Sequence, residues 1–250
     1  MKIINRILLS TILTGAVVAC DDDSEKPQAI TTEEAAEIMA TSVASNSSGV
    51  ASVFDQSAEV TSDAVGSSSG GRIQECGFSQ NLSLSGASPI GSVVQFSYDF
   101  SYKFLLACNG DDVPTSMKVN LSYSGMFDGP QLTTEHTGTS ELTVEGLEAE
   151  ADNFSMNGYY KRSGSFEWKD DEPKSGSGSV DVTVDDVAVE KATHKLASGT
   201  VTVNIEGTVA GKGSYSYTGT VTFDGTATAT LNVKGTKFAV NLTTGVVEKK

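Results

Sequence analysis

Histidine, tryptophan and cysteine are scarce in this chain of 250 residues, numbering two, one and three. Basic residues are also few, 17 against 32 acidic ones, for a formal charge of −15. Each shortage narrows the chemistry. Neither His136 nor His194 stands in an H-E-x-x-H or other metal-ligand spacing, and both read as surface residues of polar strands or loops. No C-x-x-C pair is present, so zinc and dithiol chemistry have no motif, and no metal or cofactor is expected. So acidic a chain is repelled by nucleic acid and by anionic lipid, which argues against phosphate binding. Aromatics at 7% and hydrophobics at 38% are lean but adequate for a folded core.

Some patterns imitate chemistry. Gly66-Ser67-Ser68-Ser69-Gly70 matches G-x-S-x-G, but that motif needs a strand before the serine and a helix after it, and here it lies in a linker. Asp111-Asp112, Asp170-Asp171-Glu172 and Asp185-Asp186 suggest glycoside hydrolysis or calcium binding. They fall at turns or a strand break, where solvated acids are ordinary, and the calcium-loop pattern is missing. Trp168, beside Phe166 and near Tyr159 and Tyr160, reads as a sugar-stacking platform or, preferably, a core or rim aromatic. No catalytic set emerges, and the expectation is a non-enzyme.

The one strongly hydrophobic run lies at the start. Lys2 and Arg6 precede an apolar stretch from Ile7 to Val18, too short for the ~20 residues of a membrane-spanning helix and built like an export signal. It ends in Val17-Val18-Ala19-Cys20: aliphatic, aliphatic, Ala, Cys. These first 20 residues resemble those of bacterial lipoproteins. The resemblance implies that residues 1–19 are removed and that Cys20 is acylated on its sulfur and on the new N-terminus, which anchors the chain to a membrane. Several acyl chains, at about 0.8 kcal/mol per buried CH₂, hold stably where one would not. Asp21-Asp22-Asp23 follow at once. An acid directly after the cysteine resembles an inner-membrane retention signal of enteric-type bacteria. An acidic cluster resembles the surface-export signal of Bacteroidetes-type bacteria, and the latter fits three aspartates better. The expected location is the outer membrane, facing outward, with the periplasmic face of the inner membrane as the alternative.

Beyond the anchor, residues 20–30 form a polar tether. Thr31-Thr32-Glu33-Glu34 opens a helix with a capping box, and Ala35, Ile38, Met39 and Val43 line one face of it. A second stripe runs through Val50, Val53, Phe54, Ala58 and Val65, and a Gly/Ser joint closes a helical segment of residues 31–71. From 72 to 250 the chain alternates with period two. Val94, Phe96, Tyr98, Phe100, Tyr102, Phe104, Leu106 and Cys108 give one long strand with a dry and a wet face. Similar runs occur near Val119, Phe154, Val180, Val201, Tyr215, Ala227 and Phe238, separated by turns such as Asp224-Gly225 and Lys234-Gly235, read as two-residue connections. This predicts a mainly β domain: an antiparallel meander of about nine or ten strands. Two short helices cannot cover so broad a flat sheet, so it should curl into a barrel or half-barrel with the helices at its mouth or concave face.

Cys76 and Cys108 remain for a disulfide, since both fall on dry-face positions of successive strands. A hairpin centred near Ser88 would set Cys76 opposite Ser101, so the pairing requires a bulge. The functional expectation is a structural or interaction module on a lipid anchor. Its partner, whether lipid, glycan or protein, is left open. One alternative is a carrier holding an apolar ligand on the face formed by Phe96, Tyr98, Phe100, Tyr102 and Phe104. Another is a glycan-binding or glycan-hydrolysing surface protein.

Overall fold

The computed structural model describes residues 28–66, 74–169 and 173–250. Helix α1 spans Thr32–Val43 and opens on the expected box. Thr31 Oγ1 accepts from the Glu34 amide at 3.2 Å, and a Glu34 carboxylate oxygen accepts from the Thr31 amide at 2.7 Å. A 3₁₀ turn, Ser45–Ser47, and Ser48 at φ 59° lead to α2, Val50–Ala64. The junction is tight: a Cβ on Gly49 would lie 2.5 Å from the Ala44 carbonyl oxygen.

Eleven strands follow: β1 Ser79–Ala87, β2 Gln95–Cys108, β3 Pro114–Asp128, β4 Leu132–Glu145, β5 Asn153–Trp168, β6 Lys174–Glu190, β7 Leu196–Val209, β8 Gly213–Phe223, β9 Thr228–Val233, β10 Thr236–Asn241 and β11 Val247–Lys249. They pair antiparallel in chain order, with β1 and β11 as the two edges, so the sheet is open and does not close into a barrel. One face is dry along almost its whole width, and among the described residues it is covered by α1, against β7–β11, by α2, against β4–β7, and by the 3₁₀ turn, against β3. Two helices bury that much sheet only because the sheet curls around them. Strand β4 has no counterpart in the apolar alternation. Its inward positions between Leu132 and Leu142 are Thr134, His136, Gly138 and Ser140.

The first hairpin departs from the expected register. Ser79 pairs with Leu105 and Ala87 with Ser97, so the turn centres on Ser92, four residues beyond Ser88. Val93 and Val94 look like strand but belong to the loop. With that shift Cys76 falls opposite Cys108 without a bulge in this pair, and the two are disulfide-bonded with Cα atoms 5.8 Å apart. Lys234-Gly235 is the two-residue turn expected, both residues at positive φ (48° and 84°). The Asp224-Gly225 connection is longer than two residues, running from 224 to 227, with Asp224 Oδ1 accepting from the Thr226 amide at 3.1 Å.

Candidate functional site

Cys20, Asp21–Asp23, the serines of the G-x-S-x-G match and Asp170–Glu172 lie outside the described residues. Among those described, Trp168 is core: wholly buried, edge-on to Phe166 at 4.7 Å, with Nε1 donating to Glu37 at 2.9 Å. The aromatic row of β2 is divided. Phe100, Tyr102 and Phe104 are buried, whereas Phe96 and Tyr98 remain half-exposed toward the open edge of the sheet. Asp185-Asp186 sits at a register shift between β6 and β7, where Asp186 accepts from the Ser155 hydroxyl at 2.6 Å. No group of three histidine, cysteine or acidic side chains suited to a metal ion occurs among the described residues.

The expectation of a surface histidine fails at His136, which is only 6% exposed. Its strand has polar residues on the dry face, so alternation gave no sign of burial. His194 is half-buried, its Nε2 3.2 Å from the Ser62 hydroxyl. His136 belongs to a polar cluster under the α1–α2 junction. The last turns of α1 leave carbonyl oxygens unbonded within the helix, at the negative end of its dipole, and no basic residue of α1 answers them. Arg162 of β5 does so from the facing strand. Its guanidinium donates to the carbonyls of Thr41 (3.1 Å) and Ile38 (3.4 Å) and to Thr41 Oγ1 (2.7 Å). Tyr160, stacked on Tyr123 at 5.3 Å, donates its hydroxyl to the Ser48 carbonyl at 2.7 Å. Burial, and then the charge of Arg162, push His136 down to about 3, so it is neutral in the folded protein. Beside it, Ile38, Thr134, Arg162 and Tyr215 line a small cavity of about 30 Å³.

Parity reveals Arg162 in retrospect. Phe154, Met156, Tyr160, Phe166 and Trp168 mark even positions of β5 as inward, and Arg162 is even. A single transverse row also had no apolar signature. Gly86, Tyr98, Gly125, His136, Gly164, Gly178, Gly207 and Tyr215 stand side by side across β1 to β8. Three ring side chains lie flat over these glycines. A Cβ on Gly86 would meet the Tyr98 ring at 2.6 Å, one on Gly125 would meet His136 Nε2 at 2.9 Å, and one on Gly178 would meet the Tyr215 hydroxyl at 2.3 Å. At Gly164 the obstacle is the neighbouring strand itself, the Glu135 carbonyl oxygen at 1.9 Å. Glycine there lets adjacent strands bend together.

The outer face is lined by small polar residues. A shallow trough of about 840 Å³ runs across β3–β8, and one register row through it is Ser122, Thr139, Lys161, Asp181, Asn204 and Thr218. These groups largely satisfy one another: Lys161 pairs with Asp181 at 3.0 Å, and the Thr218 hydroxyl donates to Asn204 at 2.7 Å. The arrangement offers neutral hydrogen-bonding groups and one ion pair, with no nucleophile–base contact. No known family, curated protein or solved structure matches this chain.

Proposed function

We propose that this chain is a lipid-anchored protein of the bacterial cell envelope, held through acylated Cys20 on the outer surface of the outer membrane. Its β domain acts as a non-enzymatic interaction or structural module. The observation that carries this reading is Val17-Val18-Ala19-Cys20 at the end of an export-type segment, eight residues before the described fold begins at Gln28. A filled interior favours a module that works through its surface. Phe100, Tyr102 and Phe104 are packed away, and the cavity beside the polar cluster is only about 30 Å³.

Intact mass measurement on protein extracted from membranes tests the anchor. The expected species begins at Cys20 and carries diacylglyceryl and N-acyl groups, and Cys20→Ala should appear unprocessed. An unmodified mature chain would refute the anchor. The carrier alternative predicts that fatty acid changes the emission of Trp168; on the reading preferred here, titration leaves it unchanged.

A further inference from the structure

We infer that the tip of the β1–β2 hairpin, Ser88–Val94, is a second membrane contact that dips into the lipid surface to which Cys20 is anchored. This rests on the anchor reading above and adds an orientation to it. The 23 residues from Cys76 to Tyr98 contain no charged side chain, although one residue in five of the whole chain is charged. At the apex Ile90 and Val93 are the two most exposed large apolar residues described, at 107% and 84%. Their exposure is built into the loop. The Ser92 amide donates to the Pro89 carbonyl at 3.2 Å, closing a turn with Gly91 at φ 86°, which holds Ile90 outward. Ser88 pins the base, its amide donating to the Phe96 carbonyl at 2.9 Å and its hydroxyl accepting from the Phe96 amide at 3.1 Å. Behind the apex, Phe96 and Tyr98 stack at 6.3 Å, half-exposed, where an interfacial aromatic would sit.

Topology supplies an independent argument. The tip lies on the rim of the sheet where β2, β4, β6, β8 and β10 begin. The chain arriving from Cys20 joins that same rim. The Ala29 amide donates to the Ser214 carbonyl at 3.0 Å, and Gln28 Oε1 accepts from the Ser216 amide at 2.7 Å, both at the start of β8. Seven residues lie between Cys20 and Gln28, so the eight Cα–Cα steps reach at most about 29 Å. The tether therefore keeps this rim nearer the membrane than the opposite one, which lies a further strand length of 14–17 residues away. Lys212, Lys234 and Lys237 lie at this rim, whereas the opposite rim carries Asp111, Asp112, Glu148, Glu150 and Asp224 beside Lys191 and Lys195. Lipid is favoured over a protein partner because the uncharged tip lies where the tether leads.

The test uses the full lipidated chain on phosphatidylcholine vesicles, with an environment-sensitive fluorophore attached at Ile90→Cys or, on the opposite rim, at Val246→Cys. Lipids bearing a nitroxide near the headgroup should quench the label at 90 by about twofold or more, and the label at 246 hardly at all. Quenching of the label at 90 by aqueous iodide alone would overturn the tip contact while leaving the anchor intact. Shielding of that label without vesicles, rising with protein concentration, would mean that copies pair through the hairpin, and would also overturn it. Failure of the protein to float with vesicles would reject the anchor, and the proposal with it.

Discussion

Arg162 places a fixed positive charge inside the curl and directs it at the carbonyl end of α1, a service that a helix normally gets from its own last turn. Truncating it removes three buried hydrogen bonds from a charged donor, each contributing about 1.5–3 kcal/mol, although the Ile38 and Thr41 carbonyls keep the hydroxyls of Thr41 and Ser47 as donors. Arg162→Met should therefore lower unfolding free energy by about 3 kcal/mol, seen as a lower urea midpoint with an unchanged slope. Arg162→Lys should recover only part, because a single ammonium cannot replace the planar fork. His136 gives a pH dependence of known sign. Unfolded, it titrates near ~6.5; folded, its pKa is held down to about 3 by burial and by Arg162, with Tyr123 of β3 packed edge-on at 5.9 Å. The unfolded state binds the proton first, so stability present above pH ~6.5 falls as pH drops below it, by about 1.4 kcal/mol per unit. His136→Gln should flatten that slope between about pH 6.5 and 5, before the carboxylates titrate. An unchanged slope would contradict the burial of a neutral imidazole.

Among the elements, the strands are held in their curl by residues that contribute no side chain. Gly164→Ala forces a methyl against the Glu135 carbonyl and should cost about 2–3 kcal/mol, whereas Gly110→Ala, in open space at ordinary φ, should stay within about 0.5 kcal/mol of the parent. Equal effects in thermal unfolding would dismiss the glycine row as a bending device. The β1–β2 hairpin depends on its disulfide more than a central strand would, since β1 pairs on one side only. Replacing both Cys76 and Cys108 with serine opens a loop of 32 residues, and about 4 kcal/mol should be lost in the chain-entropy model. Most strands were legible because their inward residues are apolar, as in β2, β6 and β8. β4 was not, because its middle faces the polar helix junction. The hairpin centre was misplaced because Val93 and Val94 carry strand-like side chains into a loop.

For the molecule as a whole, a chain of formal charge −15 repels itself, and salt screens that repulsion. The melting temperature should rise between low salt and ~0.5 M sodium chloride, and a fall would show that specific ion pairs outweigh net charge. Protease added to whole cells should remove the β domain if it faces outward; protection would place it on the periplasmic side. Legible in the sequence were the capping box of α1, the period-two alternation of most strands and a pair of cysteines of matching parity. Those are local signals, written in spacing and residue type. The fold itself was needed to show that the sheet stays open rather than closing, and that Arg162 and His136 lie inside it. These outcomes depend on which backbone groups meet across the curl, and the carbonyls that Arg162 satisfies lie more than a hundred residues from it in the chain.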